Sequence, residues 1–154
     1  MGNEITTWDS VVQTVMPQFE KIARINNQVQ WQVESQFALQ TIQKNSGLAK
    51  CSITSIQDSI KNVASVGLTL NPADGYAYLV PEYSKALKGN ECQLRISFKG
   101  LIKVATDAGS IKWVKAEIVK ANDNLEYKGP CTMPVHSMDP FGDRGETVGV
   151  YCIA

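Results

Sequence analysis

The sequence is poor in the residues that most chemistry requires. Its 154 residues hold one histidine, His136, and four widely spaced cysteines, Cys51, Cys92, Cys131 and Cys152. No Cys-x-x-Cys step occurs, so neither a zinc site nor a redox dithiol is indicated. Cys92 and Cys152, which fall among alternating strand residues, read as small buried hydrophobes. The glycine-rich phosphate loops of nucleotide-binding proteins are missing, and no nucleotide hydrolysis is implied. No serine or cysteine in a strained elbow accompanies His136. Asp139, Asp143 and Glu146 lie near it in a Pro/Gly-rich stretch and read as solvated carboxylates, which disfavours a metal-dependent nuclease. No run approaches the ~20 apolar residues of a membrane helix. Polar residues interrupt the amino-terminal apolar ones, so no signal peptide is expected, and the reading is a cytoplasmic, reduced protein without cofactor or metal.

Net charge is missing too: 15 basic residues balance 15 acidic ones. Alone, that balance argues against non-specific affinity for nucleic acid. The distribution points the other way, because nine basic and five acidic residues lie between Lys85 and Lys128, leaving both flanks acidic.

The length suits one domain, and the change from helical to alternating periodicity at Leu68 predicts an α+β fold. Thr7 is placed to cap a helix bearing Trp8, Val11, Val12, Val15, Met16, Phe19, Ile22 and Ala23, divided at Pro17. Periodicity lapses at Asn26-Asn27 and resumes from about Val29 to Asn45. These two stripes fit either a core or a seam between subunits. Ile53, Ile56, Ile60 and Val63 predict a third helix, begun near Ser52 or Thr54 and ended by Gly67.

Residues 68–109 organise the rest. Asn71, Pro72, Asp74 and Gly75 predict a reversal. Two strands follow, 76–83 and 91–98. In the first, Tyr76, Tyr78 and Val80 alternate with Ala77, Leu79 and Pro81. In the second, Cys92, Leu94, Ile96 and Phe98 face a core, while Gln93, Arg95, Ser97 and Lys99 form a wet, basic face. The tip between them carries Lys85, Lys88 and an expected Gly89-Asn90 turn. A helix is expected from Gly100 to Ala108, with an apolar stripe of Leu101, Val104, Ala105 and Ala108. That start puts Lys99 and Lys103 about its amino end, where free N–H groups favour an anion. Beyond Gly109, Val114, Ala116 and Ile118 share one strand face. A short strand about Leu125 to Tyr127, a loop from Gly129 to Glu146 and a closing strand from Thr147 to Ile153 complete a small antiparallel sheet.

Lys85, Arg95, Lys99, Lys103, Lys112 and Lys115 are the candidates for phosphate contact, and Tyr78, with Tyr76 and Trp113, for base stacking. The tyrosines fit equally a place in the hairpin's own core, and the lysines ordinary surface charge.

The run GLTLNPADGYAYLVPEY, then CQLRISFKGLIKVATDAG, the Asn122-Asp123 step before Leu125-Glu126-Tyr127, then His136, and Arg144-Gly145 before VGVYCIA, resembles the RecT family of phage and prophage single-strand DNA annealing proteins. The resemblance begins at about Cys51, leaving 1–50 as a helical amino-terminal part of a single 1–154 core. Family members continue into a basic helical region and a partner-binding tail that this sequence is expected to lack. The resemblance implies binding of single-stranded DNA and ATP-independent annealing, with retention of the duplex in a ring or helical filament of identical subunits. It implies a bacterial host cell, a phage exonuclease as partner, no membrane and no catalysis. Arg144 joins the candidates as a DNA contact or as a brace for its loop. The alternative is a non-catalytic homo-oligomeric assembly module with no nucleic-acid role.

Overall fold

The computed structural model describes residues 7–26 and 28–154 and is α+β. The chain divides into two compact units, Met1–Ala108 and Gly109–Ala154.

In the first unit, the Thr7 hydroxyl accepts a hydrogen bond from Ser10 N at 3.3 Å and starts α1 (Trp8–Gln13). The break before α2 (Met16–Asn26) falls ahead of Pro17. The proline thereby occupies the first turn of α2, where its missing N–H costs nothing. The lapse expected at Asn26-Asn27 involves Asn27, which lies outside the described residues. After α3 (Trp31–Lys44) and a 3₁₀ turn (Leu48–Lys50) comes α4 (Ile53–Val66), capped by Ser52, whose Oγ accepts from Ser55 N. Gly67 ends α4 at φ 73°, a left-handed position that a side chain would strain.

Phe19, Ile42, Leu48, Ile56, Ile60 and Val63 are fully buried, and Trp31 meets Phe19 edge-on at 5.2 Å. The two amino-terminal stripes are therefore largely spent on the core. Inside it, Glu34 accepts from Leu70 N at 2.8 Å and so ties α3 to the chain leaving α4.

The expected reversal forms: Asn71 Oδ1 accepts from Ala73 N, Asn71 O accepts from Gly75 N, and Gly75 takes φ 65°. Strands β1 (Ala77–Ser84) and β2 (Gly89–Ile96) pair antiparallel, with Leu79 opposite Leu94. Residues 85–88 make the turn, with Lys88 at φ 49°, so Gly89 and Asn90 are strand residues rather than the expected turn. Asn90 stands opposite Tyr83 in the ladder, and its carbonyl accepts from Ser52 N at 3.1 Å.

Helix α5 (Phe98–Asp107) starts two residues before the expected Gly100, so Phe98 and Lys99 leave the strand and Phe98 stands exposed instead of facing the core. Ser97 decides this: its Oγ accepts from Gly100 N at 3.1 Å and donates to Gly75 O at 2.7 Å. Gly100 itself has no space for a side chain, since a Cβ there would collide with the Tyr76 carbonyl oxygen. Leu101 and Val104 of the apolar stripe are exposed.

The second unit consists of two separate antiparallel pairs, β3 (Lys115–Lys120) with β6 (Thr147–Ile153), and β4 (Asn124–Glu126) with β5 (Val135–Ser137). The stretch expected to be loop thus contains β5. Val119 is this unit's one buried hydrophobic residue among the described residues. The face bearing Ile118 and Val150, opposite each other, is exposed. Cys152 lies on it, so the expectation of a buried thiol holds for Cys92 but not for Cys152. No helix among the described residues is long and apolar enough to cross a membrane.

Candidate nucleic-acid interface

On the first unit, β-pairing puts Tyr78 directly opposite Arg95 on the outer face of the hairpin. Tyr78 is 47% exposed, so it is not part of the hairpin core, whereas Tyr76 is half-buried against the core. Arg95 Nε donates to Glu82 Oε1 at 2.6 Å, and its Nη2 reaches the same oxygen. The cation is therefore presented already paired.

The Ser97 cap swings Lys99 into the first turn of α5. Lys99, Tyr76, Ile102, Lys103, Thr106 and Asp107 line a shallow groove of about 370 Å³. Lys103 Nζ lies 2.8 Å from Asp107 Oδ2 and 5.8 Å from the centre of the Tyr76 ring. The hydrogen bond with Asp107 holds the Lys103 pKa above its usual value, so this amine stays cationic. Lys99, and Lys85 in the hairpin turn, have no carboxylate partner among the described residues. A tyrosine ring lining the same groove as the uncompensated Lys99 ammonium suits a stacked base with its phosphate.

On the second unit, Lys112 has no carboxylate partner among the described residues, and Trp113 is 47% exposed. Lys115 Nζ lies 2.9 Å from Glu117, which raises the lysine pKa and lowers that of the glutamate.

Arg144 sits in a polar cluster that periodicity does not reveal. Asp123, its carboxylate almost inaccessible, accepts from Arg144 Nε and Nη2 at 2.9 and 2.7 Å and from Lys120 N at 2.8 Å. His136 Nε2 lies 3.0 Å from Asp123 Oδ2, and its Nδ1 lies 3.2 Å from the Tyr151 hydroxyl. Arg144 Nη2 also donates to Ile118 O at 3.3 Å. The guanidinium beside Asp123 holds that carboxyl well below the usual carboxylate range. Three of the five N–H donors of Arg144 are thus taken up by Asp123 and Ile118, and the guanidinium keeps 30% of its surface exposed. His136, read as part of a loop, is nearly inaccessible within β5. The only trace of this cluster in the sequence is the order Asp123, His136, Arg144, and nothing local says that the three meet. Among the described residues, no three of His, Cys, Asp and Glu gather as a metal would require.

The hairpin, the groove and the cluster all fall inside a family match. The RecT family profile covers residues 33–154, starting ahead of Cys51 and taking in most of α3. Protein RecT of Escherichia coli (strain K12) is 30% identical over 89 residues, which cover 56% of this chain and 33% of that relative. The match thus spans about a third of the relative's length. Since the profile runs through the hairpin, α5 and both strand pairs of the second unit, the chain belongs to the RecT family.

Proposed function

We propose that this chain binds single-stranded DNA and anneals complementary strands without ATP in phage-type homologous recombination, inside the bacterial host cell. The observation that carries the reading is the family match over 33–154. The geometry supports it: an exposed Tyr78 opposite Arg95, and a Lys99 free of carboxylates sharing a groove with Tyr76, suit a strand whose phosphates are neutralised while its bases stack. Lys85 and Lys103 extend the cationic surface of the first unit, Lys112 and Lys115 supply further phosphate contacts on the second, and Arg144 acts by holding its loop. Pairing of the two strands supplies the free energy, so no covalent step and no cofactor is needed.

The protein works as one annealing core, in a homo-oligomer that retains the new duplex, alongside a phage exonuclease that supplies single-stranded ends. The test is binding and annealing of fluorescent strands at two salt concentrations, with and without chelator. Salt-sensitive, chelator-insensitive binding with annealing supports the reading. No binding at low salt would leave the assembly module without a nucleic-acid role, and chelator-sensitive strand cleavage would make the protein a metal-dependent enzyme.

A further inference from the structure

Tyr151 joins the Asp123 cluster to a cleft. Its hydroxyl lies 3.2 Å from His136 Nδ1, and His136 Nε2 lies 3.0 Å from Asp123 Oδ2. The rings of Tyr151 and His136 meet edge-on with centres 5.6 Å apart. Asp123 and His136 are nearly inaccessible, whereas Tyr151 is half-buried. Of the three, Tyr151 alone lines a cleft of about 620 Å³, together with Leu125, Met133, Pro134, Val150 and Ile153.

The partners fix where the protons sit. Arg144 holds Asp123 ionised, so the carboxylate only accepts and His136 Nε2 carries a hydrogen. In the neutral ring Nδ1 is then bare, and it accepts from the Tyr151 hydroxyl. Glu117, opposite Tyr151 in the β3–β6 ladder, is paired with Lys115 at 2.9 Å, which leaves His136 as the base at the phenol. Carboxylate, imidazole and hydroxyl in that order prepare a hydroxyl for attack on an electrophile. The cleft selects the electrophile. No charged side chain lines it, so a phosphate would lose its water there with no cation in exchange, whereas an uncharged apolar group would not.

We propose that Tyr151 is an activated phenol and the covalent acceptor of an uncharged, apolar acyl group held in the cleft. The phenol oxygen bonds to the acyl carbon of an activated acyl donor while its proton passes to His136 Nδ1. The bond from the acyl carbon to the leaving group breaks, and the leaving group departs with the electron pair and takes up that proton. The product is an aryl ester on Tyr151. Asp123 positions the imidazole and offsets the charge it carries during the transfer. This inference does not depend on DNA binding.

The probe is N-acetylimidazole, an uncharged acyl donor whose leaving group is imidazole, applied to the whole chain with peptide mass spectrometry following each tyrosine in time. Exposure alone ranks Tyr83 and Tyr127, at 65% and 61%, ahead of the half-buried Tyr151. The expected result inverts that order, with Tyr151 acetylated about tenfold or more faster than either. His136→Gln keeps polar contacts for both neighbours but is no base. It is expected to return Tyr151 to last place while the circular dichroism and the rates at Tyr83 and Tyr127 stay unchanged. A pH series on the wild-type chain gives a reading independent of how that variant folds. The Tyr151 rate should level off well below pH ~10, where free phenols ionise, while the rates at Tyr83 and Tyr127 keep rising towards it. Acetylation of Tyr151 no faster than that of Tyr83 and Tyr127 overturns the inference. So does a Tyr151 rate that climbs with pH as theirs do, or one that survives in folded His136→Gln.

Discussion

The guanidinium of Arg144 grips both carboxylate oxygens of Asp123, although the two residues stand 21 positions apart. With His136 on the same carboxylate, this pair ties the β3–β4 turn to β5 and to the segment entering β6. A lysine cannot reproduce the two-point contact. Arg144→Lys is therefore expected to speed amide exchange at residues 118–123, and Asp123→Ala to do so more strongly, while the α4 amides stay protected.

The same pair sets an acid limit. The Asp123 pKa is depressed in the folded chain, chiefly by the Arg144 hydrogen bond. A depressed carboxyl stabilises fully above its unfolded value of ~3.9, and that contribution fades as pH falls through the lower folded value. Thermal melts of the wild-type chain should lose stability below about pH 4. In Arg144→Ala the melting temperature should be lower at neutral pH and should fall less steeply in acid.

Glu34 behaves in the opposite sense. Burial raises its pKa above the unfolded value, so the folded chain holds the proton more tightly, and stability falls as pH rises through the interval between the two values. Glu34→Gln keeps an acceptor for Leu70 N and cannot ionise, so its melting temperature should lose this fall with rising pH. Glu34→Leu orphans the Leu70 amide and should cost about 1–3 kcal/mol in denaturant unfolding.

On the proposed DNA face, pairing predicts a ranking. Lys99 has no carboxylate partner among the described residues, so Lys99→Ala should weaken single-strand binding for all sequences and lower the salt slope by about 0.7. Arg95 must first be freed from Glu82, so Arg95→Ala should cost less. Glu82→Gln, which releases Arg95, should tighten binding at low salt. Fluorescence anisotropy as a function of salt reads all three. Equal affinities throughout would place the DNA elsewhere.

The four thiols should separate into two classes. Cys51 and Cys92 are buried, and burial pushes the Cys92 thiol up to about 11, whereas Cys131 and Cys152 are exposed. At pH 8 the Cys92 thiolate is then about one part in a thousand. Native alkylation followed by peptide mass spectrometry should label Cys131 and Cys152 first. Labelling of Cys51 and Cys92 should wait for unfolding.

Local rules in the sequence determined much of the architecture. The Thr7 and Ser52 caps, the Gly67 stop, the Asn71–Gly75 reversal and the alternation of β1 and β2 all depend on neighbours within a few residues, which is the range over which helical and strand periods act. The closing strand, Thr147–Ile153, was legible for the same reason. Tertiary structure decided the rest, because each remaining feature needs a partner that the chain brings back from afar. Ser97 begins α5 early because Gly75 O, 22 positions away, accepts its hydroxyl. Asn90, opposite Tyr83 in the hairpin, has its carbonyl held by Ser52 from the start of α4. Arg95 shows as a basic residue in the sequence, but only the folded hairpin sets Glu82 against it. Asp123 and Arg144 lie in turn and loop stretches and His136 in a three-residue strand too short for its period to show, so only the return of the chain to Asp123 makes them one cluster.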